Sequence, residues 1–243
     1  MIHLAHAAWT DVHELLARDP EALVLLPVGA LEAHGPHLPL STDVIIAEGM
    51  ARRAAQALEA KGRTCAIAPS LVYNVTEYAA GFDGTAGVGP EAAEAYARGV
   101  CLGLERAGFR RIVVANAHLE PAHVEVMRRL TTPRVVFPDC TERRFARTLT
   151  DEFKRGACHA GAYETSLVLA ERPDLVRDDR RAALPPVDVD LVMAMRAGVR
   201  TFEEAGAPEA YFGDPASASV VEGEDIFARL VAMVVTVVEE RWP

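Results

Sequence analysis

The 243-residue chain lacks most features that would send it to a membrane, a nucleic acid or an oxidising compartment. Its four cysteines, Cys65, Cys101, Cys140 and Cys158, are scattered without a Cys-x-x-Cys pair. That pattern argues against a disulfide scaffold or a thiolate metal knot and predicts reduced thiols in a cytoplasmic protein. Cys158 is next to His159, but neighbours in sequence point apart, so a thiol nucleophile is not expected there. No apolar run reaches the roughly 18 residues that a spanning helix needs, so no membrane partner is expected. The N-terminal stretch has no basic segment and meets Asp11 too early for a signal peptide. Positive charge is scarce: 25 Lys and Arg against 35 Asp and Glu give a formal net charge of −10, which argues against a nucleic-acid surface. Low complexity, internal repeats and Pro/Gly/Ser-rich linkers are also missing, which predicts one domain over residues 1–243. Half of the residues are hydrophobic, enough for a large core.

Against this plain background one stretch stands out, Leu26-Pro27-Val28-Gly29-Ala30-Leu31-Glu32-Ala33-His34-Gly35-Pro36-His37-Leu38-Pro39-Leu40-Ser41-Thr42-Asp43. A Glu, a His and an Asp share a loop stiffened by proline directly after an apolar run. Carboxylates and imidazole suit Zn²⁺ or Mn²⁺, and a rigid loop lowers the cost of holding them together. A second apolar run, residues 111–115, leads into Asn116-Ala117-His118-Leu119-Glu120-Pro121. Functional groups of an open α/β sheet collect beyond the carboxyl ends of its strands, so the two clusters are expected to meet there. The candidate ligands are therefore Glu32, His34, Asp43, His118 and Glu120. For Asp43 a helix-capping role stays open.

These residues also carry a family likeness. The segment from Pro27 to Asp43 resembles the signature loop of the creatininase family of metal-dependent amide hydrolases, and His159-Ala160-Gly161-x-x-Glu164-Thr165-Ser166 resembles that family's second landmark. Phe82-x-Gly84-Thr85 and Gly213-Asp214-Pro215 resemble its weaker ones. The resemblance implies two divalent metals (Zn, Mn or Fe) held by Glu32, His34, His118 and Glu120, with Asp43 bridging, and assembly as a hexamer or other homo-oligomer. It places His159 at the substrate as a catalytic proton carrier, and an ordinary imidazole titrates near about 6.5, within reach of cellular pH. Glu164 is implied as a second catalytic group, either ligating a metal or orienting its surroundings. As a plain helix-start carboxylate it would also be favourable.

Departures from the family pattern concern the substrate. Arg155-Gly156 stand where creatininase itself has Trp-Asp, and Leu119 replaces a Tyr between the later His and Glu. The aromatic wall that would stack on creatinine is missing, so creatinine is not the expected substrate. Glu77-Tyr78-Ala79-Ala80-Gly81-Phe82 lacks a His that many relatives carry. Leu119, Arg155 and His159 are the candidate substrate-binding residues. The expected reaction is hydrolysis of a small cyclic or linear amide by a metal-activated hydroxide. A formamide hydrolase acting on a pyrimidine nucleotide, a peptidase of cofactor biosynthesis and a non-catalytic metal-dependent binding protein are the alternatives, with Arg155 as the cation a nucleotide would want.

Hydrophobic periodicity and punctuation predict alternating strands and helices. Strands are expected at 22–28, 64–68, 111–115 and 135–137. Helices are expected from Thr42 to about Ala60, from Pro90 to before Gly108, from Pro121, over about 163–171, and from Ser217 to Arg241. The predicted fold is a three-layer α/β/α sandwich with a mostly parallel central sheet. The least regular stretches, Tyr73 to Gly89 and Leu184 to Gly213, are expected to shape the pocket or a subunit contact.

Overall fold

The computed structural model describes residues 1–156 and 159–243. Cys158 lies outside the described residues. The strands are β1 (Ile2–His3), β2 (Leu23–Val28), β3 (Cys65–Ile67), β4 (Arg111–Asn116) and β5 (Val135–Val136). All pair in parallel, in the order β1-β3-β2-β4-β5. Helices α1 (Trp9–Arg18), α2 (Thr42–Glu59), α3 (Pro90–Arg106) and α4 (Pro121–Arg129) are followed by the short α5 (Arg143–Ala146) and α6 (Asp151–Lys154). The remainder are α7 (Ala162–Glu171), α8 (Asp178–Arg181), α9 (Leu191–Arg196) and α10 (Val220–Arg241).

The central strands are apolar throughout because both faces of the sheet are covered. Along β2, Leu23 and Leu25 point into a core shared with α2, α7 and α10, whereas Val24, Leu26 and Val28 point into a second core shared with α1, α3 and α4. This two-residue alternation between opposite cores makes the predicted three-layer sandwich. A proline in a central strand is unusual, yet Pro27 costs no ladder bond here. Its carbonyl faces the β3 side, where it accepts from Leu71 N at 2.9 Å after β3 has ended, so its missing N–H falls beyond the paired region.

Two expectations needed revision. No element was expected before residue 22, whereas β1 adds an edge strand and α1 covers one face. A two-residue strand is too short to show alternation, which explains the omission. The last helix was expected from Ser217, but it begins at Val220, where the Ser219 hydroxyl accepts from Glu222 N at 3.2 Å and caps it. Among the described residues no helix is long and apolar enough to cross a membrane.

Candidate metal centre

The parallel sheet brings the carboxyl ends of β2 and β4 side by side, with Val28 opposite Asn116. Gly29 follows at once, and a side chain there would meet Val44 N at 2.6 Å and Asp43 Cβ at 2.9 Å. Only glycine lets the start of α2 pack this closely against the strand end. Asp43 is thereby delivered to the end of β2, where its Oδ2 accepts from Ala30 N at 3.3 Å. It does not cap α2; it faces the histidines.

All five candidate ligands converge. Asp43 Oδ1 lies 3.2 Å from His34 Nε2 and its Oδ2 lies 2.9 Å from His118 Nδ1, so this one carboxylate reaches both imidazoles. Glu32 Oε1 is 3.4 Å from His118 Nδ1 and 3.8 Å from His34 Nε2. Three groupings result, Glu32 with His118 and Glu120, His34 with Asp43 and Glu164, and Glu32 with His34 and His159, the donor atoms of each lying within 4.8 Å of one another. His159 joins from the other side, its Nδ1 3.7 Å from Glu32 Oε1. All of these residues are buried.

The outward nitrogens of the three histidines share one arrangement. His34 Nδ1 is 3.0 Å from Glu32 O, His118 Nε2 is 2.6 Å from Val75 O, and His159 Nε2 is 2.9 Å from Ala33 O. A carbonyl can only accept, so each of these nitrogens carries a proton and the inward nitrogen is the one turned toward the carboxylates. His34 Nε2 is buried and has no hydrogen-bond partner. An unpartnered imidazole nitrogen aimed at carboxylates suits a metal ligand, and the donor set fits a divalent metal.

Electrostatics agree. Burial opposes the charge on Asp43, yet His34 and His118 hold its carboxyl well below the usual range. Burial likewise disfavours an imidazolium at His34, but Asp43, Glu164 and Glu32 lift it to about 10. His118 is also raised, by Glu32 and Asp43 against its burial. Burial pushes Glu164 up to about 8 and, joined by the nearby His34, brings His159 down to about 4. The pocket is rich in negative charge and calls for compensating cations.

Several supporting groups were not anticipated. Thr76 Oγ1 donates to Glu32 Oε2, and Glu77 N donates to Glu120 Oε2 at 2.9 Å. Buried His123 bonds Asn116 Oδ1 through Nε2 at 2.8 Å, and Asn116 Nδ2 donates to His118 O at 2.7 Å. Glu152 accepts from Tyr163 N at 2.8 Å and from Asp214 N at 2.9 Å, fixing the start of α7. Glu164, in the first turn of α7, accepts from Ala160 N at 2.6 Å and also stands 3.5 Å from His34 Nε2. It therefore stands at a helix start and beside His34 at once.

The centre opens into a cavity of about 590 Å³. Leu119 and His159 line it, together with Tyr78, Phe153, Met195 and Phe202. Arg155 does not; it is exposed, and the arginines that reach the cavity are Arg196 and Arg200. Both irregular stretches shape the pocket. Residues 73–89 supply Tyr78 and the groups that hold Glu32 and Glu120, and residues 184–213 supply α9 and Phe202, whose ring lies 4.3 Å from that of His159.

The chain matches the family model for creatininase, creatinine amidohydrolase, over residues 5–238. It is 33% identical over 218 residues to a mycofactocin precursor peptide peptidase of Mycobacterium ulcerans (strain Agy99), the match covering 86% of this chain and 81% of that protein. It is 27% identical over 215 residues to a creatinine amidohydrolase of Pseudomonas putida, covering 77% of this chain and 80% of that one. A solved structure described as creatininase Mn superposes with a TM-score of 0.73 at 25% identity, over 99% of this chain and 98% of the other. A match that runs through nearly the whole chain on a shared fold means that this protein belongs to the creatininase family and is a hydrolase of carbon–nitrogen bonds.

Proposed function

We propose that this chain hydrolyses a peptide-type amide bond at two divalent cations, Zn, Mn or Fe, held by Glu32, His34, Asp43, His118 and Glu120, with Asp43 shared between them. The observation that carries the reading is Asp43, whose two oxygens face the inward nitrogens of His34 and His118. Glu164 completes the group on the His34 side and Glu120 the group on the His118 side. Such a metal pair, when bound, would lower the pKa of a water toward about 7 and would polarise a carbonyl oxygen.

The remaining work falls to the chain's own residues. His159 is the most accessible of the three site histidines, at 8% exposure, and it lines the cavity. Its Nε2–H is committed to Ala33 O, so Nδ1 is free to take a proton and to return it to the leaving nitrogen. Phe202 backs the imidazole, and the apolar cluster of Ala79, Leu191, Phe202 and Phe212 shields that side from water. Leu119 gives a smooth aliphatic wall where stacking on a flat ring would need an aromatic one, which favours a linear amide over creatinine. The mycofactocin peptidase relative, matched at 33% identity, supports a peptide substrate.

The test begins with elemental analysis of protein purified without added metal or chelator, for which about two equivalents per chain are expected. The loaded enzyme is then screened against short peptides. His159→Ala is expected to keep its metal and lose about 100-fold or more in kcat. No metal, even after titration, would overturn the proposal, and full turnover by the variant would remove His159 from it.

A further inference from the structure

The cavity has a second polar feature besides the metal centre. Arg196, the last residue of α9, and Arg200, four residues on, both line it. In a chain of net charge −10 they are the only arginines lining this cavity, and neither forms an ion pair among the described residues. Arg200 stands beside Tyr78, another lining residue, whose neutral phenol leaves the guanidinium charged. The carboxylates that line the cavity with them, Glu32, Asp43, Glu120 and Glu164, are already engaged by imidazoles, backbone N–H groups and the cations proposed above, and Glu204 accepts from the Arg200 backbone N–H at 3.0 Å. The guanidiniums, on two exposed residues, thus line the cavity without an ion-pair partner among the described residues.

Apolar side chains line the same cavity, among them Leu119, Phe153, Leu191 and Met195. We infer that Arg196 and Arg200 anchor a carboxylate on the substrate, so that the cleaved amide belongs to a molecule with an apolar body and a free carboxylate end, such as the C-terminal part of a peptide. Planar guanidinium forks match a carboxylate in two-point fashion. A phosphate fits less well. It favours a helix N-terminus with free backbone N–H groups, whereas the start of α9 is already capped by Asp190, whose carboxylate accepts from Met193 N at 2.9 Å.

This inference rests on the amide-hydrolase reading, and binding separates the two. Metal-loaded full-length protein is titrated calorimetrically with N-acetyl-Gly-Leu as the free acid, with its C-terminal amide, and with a phosphate monoester of similar size. The free acid is expected to bind at least about tenfold more tightly than the amide. Arg196→Gln and Arg200→Gln are each expected to erase most of that preference while leaving metal content unchanged. Equal binding of acid and amide, or no binding of the acid at millimolar concentration, would overturn the carboxylate anchor even if peptides are hydrolysed. Tighter binding of the phosphate ester would overturn it as well. Because the matched ligands are compared on the unaltered protein, the test stands even if a variant fails to fold. Failure of the hydrolase reading is recognised separately, by absent metal and absent turnover.

Discussion

Asp43 shows how one residue can look ordinary in sequence and decide a site in space. In the chain it follows Ser41 and Thr42 at a helix start, where capping explains it adequately. In the fold its two oxygens lie 3.2 and 2.9 Å from two imidazoles that come from different strand ends. Asp43→Asn keeps the size but removes the charge shared between the two groups. It is expected to lose at least one metal equivalent by elemental analysis, with kcat on any peptide substrate falling by about 100-fold or more. Unchanged metal content would rule out the shared ligand. The same scale separates reactive from inert thiols: burial pushes Cys65 and Cys140 up to about 12 and Cys101 to about 11, so these three behave as small core hydrophobes.

At the scale of elements, the long helix α10 packs against α7 at a distance only glycine permits. A Cβ on Gly223 would come within 1.9 Å of Ser166 O and 2.9 Å of Ala170 Cβ. Gly223→Ala is therefore expected to destabilise by about 2 kcal/mol or more, because backbone cannot yield as a flexible side chain can. Gly99, exposed within α3, meets nothing within 4 Å. There the same substitution is expected to stabilise by about 0.5 to 1 kcal/mol, since alanine forms helix better than glycine. Urea unfolding of the two variants checks both signs. Neither result is visible in the sequence, where each is a glycine inside a helical pattern. The helices themselves were legible because Pro90, Pro121 and the spacing of their apolar residues are local signals, whereas α5, α6 and α8 are four-residue turns with no period to read.

Across the whole molecule, Glu171 ties α7 to α2 through Arg52 Nη2 at 2.7 Å and through Arg53, which itself lies 4.0 Å over the Phe227 ring of α10. Burial works against the Glu171 carboxylate, but the two guanidiniums outweigh it and hold its pKa below the ordinary value of 4.5. A carboxyl that ionises more readily when folded contributes stability above 4.5, and that contribution disappears as pH falls through the lowered value. Glu171→Gln is accordingly expected to cost about 1 to 2 kcal/mol at pH 7 and progressively less below pH about 4, measured by urea unfolding across that range. A penalty that does not change with pH would mean the carboxylate's charge is not what joins the helices.

The sequence by itself determined the alternation of strands and helices, the two clusters of ligand-type residues and the family they resemble. These are local patterns: apolar runs that must be buried on both faces, proline and glycine at element ends, and donors placed directly after strands. Only the tertiary structure decided which atoms face one another. It set Val75 O and Ala33 O behind the histidines, Thr76 behind Glu32, and Arg196 and Arg200, not Arg155, beside the cavity. Those choices come from irregular segments that fold back over the sheet from far along the chain. Their positions follow from long-range packing, for which neighbouring residues carry no period and no composition signal.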